Sequence, residues 1–180
     1  MSVTERFYGS HTAGTTRPIQ DFGLSDLKGI YQYTAKLRMK GLLVIVFFSA
    51  ASEPSVRALE AVQGWTADLP TQKWTAIGVG EGDRTELGEF AAKHGLTNVS
   101  VVLDHELYQT RMWGVSHLPS IYLVSGKTGR VLQKILGLET DALAGMKQLL
   151  TEEVGKIVAA EEAARKAEEE KKAAEAAAKA

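Results

Sequence analysis

The strongest constraint on this chain is one uninterrupted apolar run, Leu42-Leu43-Val44-Ile45-Val46-Phe47-Phe48. A strand with one wet face alternates apolar and polar residues, whereas a strand that is apolar throughout is covered on both faces. The run is also far shorter than the roughly 20 residues that carry a helix across a bilayer. It therefore predicts a central strand with layers of structure above and below it. Ser49 to Ser52 then turns the chain, and Pro54 suits the first turn of a helix. Val56, Leu59, Val62 and Trp65 follow at helical spacing.

The same alternation of periods continues downstream. Lys73 to Val79 reads as a strand, and Gly80-Glu81-Gly82-Asp83 as a loop in which Asp83 or Thr85 can cap the next helix. Leu87, Phe90 and Ala91 give that helix its apolar face, and Gly95 ends it. Val99 to Leu103 reads as a short strand, and Asp104 as the cap of a brief helix through Met112. Ile121 to Val124 and Val131 to Ile135 flank Ser125-Gly126-Lys127-Thr128-Gly129, a hairpin signature. Before the central strand, Phe22 and Leu24 alternate with smaller neighbours, Asp26-Leu27-Lys28-Gly29 forms a turn, and Tyr31-Gln32-Tyr33 a second short strand. Strand, helix, strand, helix, hairpin, helix implies a mixed sheet between helical layers.

Beyond Glu139 the chain reads as helix to its end. Leu143, Met146, Leu150, Val154 and Ile157 form one stripe that can dock on the sheet. Residues 159–180 are almost entirely Ala, Glu, Lys and Arg, with pairs four apart such as Glu162–Lys166 and Glu168–Lys172. No leucine seam continues there, so the expected state is a solvated single helix rather than a coiled coil. Three segments result: a polar arm over 1–17, a folded domain over 18–150 and a helical tail over 151–180.

Composition decides what chemistry is excluded. The chain of 180 residues contains no cysteine. Disulfides, thiolate nucleophiles and thiolate metal sites are thereby ruled out. The formal net charge of -1 gives no reason to expect a nucleic-acid or membrane-surface partner. The N-terminal residues show no apolar core of the signal-peptide kind, so the default location is cytoplasmic, or periplasmic if a leader has been removed.

Two stretches carry a family resemblance. Phe22-Gly23-Leu24-Ser25-Asp26-Leu27-Lys28-Gly29, then Lys40-Gly41 and the apolar strand, then Ser49-Ala50-Ala51-Ser52-Glu53-Pro54-Ser55, resemble the opening of a TlpA-type redoxin of the thioredoxin-like superfamily. Trp113-Gly114-Val115-Ser116-His117-Leu118-Pro119-Ser120 resembles the segment that carries that family's cis-proline. The resemblance covers residues 18–150. It implies a three-layer α/β/α fold with a mixed central sheet, followed here by the long C-terminal helix. It also places Ser52 and Ser55 where the two redox cysteines stand, and Ala51 where the family has tryptophan. By the same resemblance Pro119 is cis and faces that loop.

The departure decides the chemistry. Thiol–disulfide exchange needs a thiolate and a partner sulfur, and serine supplies neither. Peroxide reduction by a peroxidatic cysteine is lost as well. The expected function is a redox-inactive domain that binds protein or extended peptide without a cofactor. Its groove would comprise Ala51, Glu53, Pro54, Trp113, His117, Leu118 and Pro119. The alternative is an oxidoreductase whose cysteines have been exchanged for Ser52 and Ser55. The change at Ala51 favours a degenerate site over such an exchange.

Other readings are weaker. Ser52 with His117 has no orienting acid, oxyanion hole or Gly-x-Ser-x-Gly elbow, and helix capping by Ser52 and Ser55 explains the serines more simply. The helix start at Ser52 to Ser55 offers free N–H groups to an anion, as any helix start does. Gly126-Lys127-Thr128 lacks the leading glycine of a phosphate loop, because position 121 is isoleucine. His11, His94, His105 and His117 show no metal-ligand spacing, and Asp104-His105-Glu106 reads as a solvated helix start.

Overall fold

A computed structural model describes residues 18–178. The expected arm over 1–17 lies outside the described residues. The central apolar run forms β3 (Leu42–Phe48), buried at all seven positions. It sits in the middle of a five-stranded sheet. The other strands are β4 (Trp74–Gly80), β5 (Val99–Leu103), β6 (Ser120–Ser125) and β7 (Val131–Leu136), in the order β5-β4-β3-β6-β7. β3, β4 and β5 run parallel, while β6 pairs antiparallel with both β3 and β7. A short ribbon, β1 (Gly23–Ser25) with β2 (Tyr31–Tyr33), precedes it.

Alternate residues of β3 serve two cores. Leu42, Val44, Val46 and Phe48 face α2 (Glu53–Asp68), α3 (Arg84–Lys93) and α5 (Thr140–Ala178). Those helices contribute Leu59, Val62 and Trp65, then Leu87 and Phe90, then Met146, Leu150 and Val154. Leu43, Ile45 and Phe47 face the opposite layer, where Ile19, Phe22, Leu37 and Trp113 close the core. Leu37 belongs to α1 (Thr34–Arg38), and Trp113 follows α4 (Tyr108–Met112). Each large aliphatic or aromatic side chain buried in this way contributes ~1.5–3 kcal/mol. The two layers are thus paid for by a single strand's alternation.

The helix ends follow local chemistry. Asp83 accepts from the N–H groups of Thr85 and Glu86, and the Glu86 carboxylate returns to the Asp83 N–H, which completes a capping box. Gly95 takes φ +62 just after α3. Asp104 departs from the expected solvated helix start: it is completely buried. Its carboxylate accepts from the N–H groups of Gln109 and Thr110 and from the Thr110 hydroxyl, at 2.8, 2.9 and 2.6 Å. The residue therefore caps α4, five residues on, across a turn in which Glu106 and Leu107 both take positive φ. Consecutive left-handed non-glycine residues cost energy, which the three bonds to Asp104 offset.

The hairpin turn between β6 and β7 is clamped to the chain before β3. Gly126 N–H donates to Gly41 C=O at 2.7 Å, and Arg38 Nη1 donates to Gly126 C=O at 2.9 Å. The same Arg38 guanidinium grips Asp21, which holds its pKa up. A Cβ at position 126 would lie 2.0 Å from Arg38 O and 2.3 Å from Gly41 O. Backbone cannot yield as a side chain does. Gly126→Ala is expected to cost roughly 3 kcal/mol, at the upper end of overpacking effects, and to lower the thermal midpoint by circular dichroism by several degrees.

α5 spans 39 residues. Its apolar stripe docks as the spacing predicts, with Leu143 and Ile157 half-buried at the margins. Lys73 pairs with Glu161 at the point where the helix leaves the body. From residue 159 to 175 every side chain is exposed, and Glu168–Lys172 is one of the ion pairs four apart. Among the described residues no helix is long and apolar enough to cross a membrane.

Candidate functional site

The C-terminal end of β3 leads into a turn and then into α2. Ser52 N–H donates to Ser49 C=O at 3.0 Å, and Val56 N–H donates to Ser52 C=O at 3.1 Å. Ser52 thus occupies the N-cap position by its backbone, but its side chain makes no capping bond. Ser55 is fully buried, and its hydroxyl accepts from Ser49 N–H at 3.2 Å. The expectation that both serines cap the helix is corrected in this respect. Ser55 ties the turn back to the helix instead of satisfying a helix N–H. Ala51, Glu53 and Pro54 are exposed on the same turn, and Glu53 pairs with Arg57.

Two consequences separate the serines. Ser55→Ala strands the Ser49 N–H and is expected to cost ~1 kcal/mol in urea unfolding. Ser52→Ala removes no hydrogen bond and should change stability by less than about 0.5 kcal/mol.

The second half of the site comes from the segment before β6. Phe47 stands opposite Ser120 in the antiparallel ladder. Continuing that register sets Phe48 beside Pro119 and Ser49 beside Leu118. The Leu118–Pro119 peptide bond is cis. Pro119 is buried, Leu118 half-buried and His117 exposed. Ser120 Oγ donates to His117 C=O at 2.6 Å and fixes the turn. His117 Nδ1 lies 2.9 Å from Ser116 Oγ. Among the described residues no hydrogen bond joins His117 to Ser52, so the nucleophile–base pair considered from sequence is not formed.

Trp113 is not on this surface. It is 2% exposed and packs edge-on against Phe22 and Tyr122, with centroids 5.5 and 5.1 Å away. The hydrophobic gain from burying an indole outweighs its use as an exposed platform, and Trp113 belongs to one core as Trp65 and Trp74 belong to the core on the other face of the sheet. The groove expected from sequence therefore loses one member.

It gains another that sequence spacing does not reveal. Gly137 N–H donates to Pro119 C=O at 2.7 Å, which draws the chain after β7 over to the proline. Gly137 makes that approach at φ +77. Leu138 then joins Glu53, Pro54 and Arg57 around a small cleft of about 130 Å³. Only a glycine at a strand end hinted at this. Among the described residues there is no cluster of three or more His, Asp or Glu side chains that could hold a metal.

Sheet order, the helix rising from the end of the central strand and the buried cis-proline beside it define a thioredoxin-like fold. Known structures share it. A Chlorobium tepidum chain assigned as the thiol:disulfide interchange protein DsbE matches with a TM-score of 0.70 at 15% identity, over 79% of this chain and 99% of that one. Peroxidoxin BcpB from Mycobacterium tuberculosis matches at 0.66 and 16% identity, over 81% and 99%. A thiol-disulfide oxidoreductase from Bacteroides fragilis matches at 0.63 and 20% identity, over 73% and 97%. No family model matches the chain, and no curated protein matches its sequence. The fold is thus shared with thiol–disulfide oxidoreductases, while the chain has no cysteine with which to perform their chemistry.

Proposed function

We propose that this chain is a redox-inactive, TlpA-like domain that binds an extended segment of a partner protein at a degenerate active-site edge. The observation that carries this reading is the state of Ser55. Its hydroxyl is buried and bonded to Ser49 N–H, so it is structural and not a nucleophile. Around it the recognition surface remains open. Ala51, Glu53, Pro54 and His117 are exposed, and Leu118 is half-exposed beside the cis peptide. Backbone pairing at such an edge needs no sulfur, and the neighbouring side chains select the partner.

The test is a photo-crosslinker placed at His117, in the intact chain and in a parallel chain ending at residue 158. Among the described residues every buried one lies before that end. A partner crosslinked from His117 in both chains supports the groove. A partner that binds only the longer chain moves recognition to the helix beyond residue 158, exposed from 159 to 175, and contradicts the groove. The competing reading, an oxidoreductase with exchanged cysteines, draws on the ladder between β3 and β6, which ends at Phe47 and Ser120 just before the serine turn and just after the cis-proline.

A further inference from the structure

A polar cleft lies at the end of the sheet opposite the serine turn. Trp74 stands beside Leu42, the first residue of β3, and the turn follows Phe48, its last, so about 20 Å of strand separates the two places. β5 begins only at Val99, opposite Ala76. Trp74 and Thr75 therefore have β3 on one side and no strand on the other. A cleft of about 290 Å³ opens here, with Trp74, Thr75, Thr97, Asn98, Ser100 and Lys40 in its lining.

The rim is fixed by hydrogen bonds. Gln63 Oε1 accepts from the N–H groups of Asn98 and Val99 at 2.9 and 3.2 Å, and Asn98 Nδ2 donates to Thr66 Oγ1 at 3.0 Å. Two other lining residues differ. Trp74 Nε1 and Thr75 Oγ1 are buried, and among the described residues neither has a hydrogen-bond partner. Trp74 is only 2% exposed. Buried polar groups are ordinarily paired, so two consecutive ones left open beside one cleft mark a place for acceptors from outside. Lys40 adds an exposed ammonium that forms no ion pair among the described residues. No carboxylate belongs to the lining among the described residues. An indole N–H and an ammonium only donate, so the ligand must bring acceptors and negative charge. Successive residues of a strand point to opposite faces, so Trp74 and Thr75 approach from different sides. A tetrahedral oxyanion, with oxygens in several directions, suits such donors better than a planar carboxylate.

We propose that this cleft binds the phosphate group of a small molecule. Thr97 and Ser100 also line a neighbouring cleft of about 320 Å³, where Leu27, Ile30 and Leu96 offer apolar wall to the organic part of such a ligand. Asp26 in that second lining does not oppose the anion freely, because its oxygens accept from Lys28 N–H, Ile30 N–H and Gln32 Nε2. The site is independent of the function proposed above.

The test titrates the full chain, labelled with ¹⁵N, with phenyl phosphate, with inorganic phosphate and with phenol as the neutral control, at constant ionic strength. Phenyl phosphate is expected to move the Trp74 indole N–H resonance saturably, together with the Asn98 and Ser100 amides. Tighter binding of phenyl phosphate than of inorganic phosphate assigns a phosphate monoester, and the reverse order assigns the free ion. Lys40→Gln should weaken binding roughly fivefold. Thr75→Val should weaken it roughly tenfold, yet keep a thermal midpoint at or above the parent's without phosphate, because it deletes a hydroxyl that has no partner in the fold. Four results overturn the proposal: no saturable movement at tens of millimolar of either phosphate, an equal response to phenol, equal movement of the Trp65 and Trp113 indole resonances, or unchanged affinity in both variants. A lowered midpoint for Thr75→Val would also contradict it, by showing that the hydroxyl is bonded within the protein.

Discussion

Asp104→Ala is expected to lower the stability of the domain by ~3–5 kcal/mol, because it leaves two buried donors and one part-buried donor without an acceptor. Those donors are the N–H groups of Gln109 and Thr110 and the Thr110 hydroxyl. The loss reaches beyond the cap. α4 has only five residues and no other side-chain cap, and Trp113 follows it directly. Freeing the turn at Glu106 and Leu107 would therefore loosen the indole from Phe22, Phe47 and Tyr122. Near-ultraviolet circular dichroism should fall together with the thermal midpoint, by about 10 °C. Asp104→Asn keeps one acceptor and turns an amide toward the remaining donors, so about half the loss is expected. A midpoint within a degree of the parent for Asp104→Ala would show that the turn is held by something else.

Phe47→Ala is expected to cost ~3–5 kcal/mol, the range for deleting a buried aromatic. Phe47 has no exposed surface and lies 5.4 Å from the Trp113 ring and 5.7 Å from Tyr122. Tyr122 is itself enclosed enough that burial pushes its hydroxyl pKa up to about 12. The neighbours are fixed on β6 and on the segment after α4, so they cannot collapse fully into the space. Phe47→Leu should cost about 1.5 kcal/mol or less. The urea midpoint reports both, and an unchanged slope would show that the denatured state is unaffected. Equal losses for the two variants would show that ring volume at this position is not what matters.

The main architecture was legible because its signals are local. β3 is apolar at every position, α2 has its proline in the first turn and apolar residues at helical spacing, and the β6–β7 turn carries glycine and polar residues between two apolar runs. α1 was not legible: five residues, Thr-Ala-Lys-Leu-Arg, form barely more than one turn and have no side-chain cap. The site was half legible. Resemblance placed the Ser52–Ser55 turn beside Pro119, but the bond from Ser49 N–H to Ser55 and the arrival of Leu138 depend on tertiary packing. Trp113 was misplaced for the same reason, since its partners Phe22, Phe47 and Tyr122 are distant in sequence. Asp104 was legible as the cap of the brief helix, whereas its burial follows from bonds five and six residues ahead.

On the function proposed above, the Ser52–Ser55 turn keeps the thioredoxin-like shape while its surroundings do not support thiol chemistry. The most direct measurement is disulfide reduction by the double variant S52C/S55C, with dithiothreitol as the electron source and insulin as the substrate. Ala51, where the resembling family has an aromatic residue, predicts turnover far below that of an unmodified thioredoxin-like reductase under the same conditions. Turnover equal to that of such a reductase would contradict the account and identify the chain as an oxidoreductase lacking only its two sulfurs.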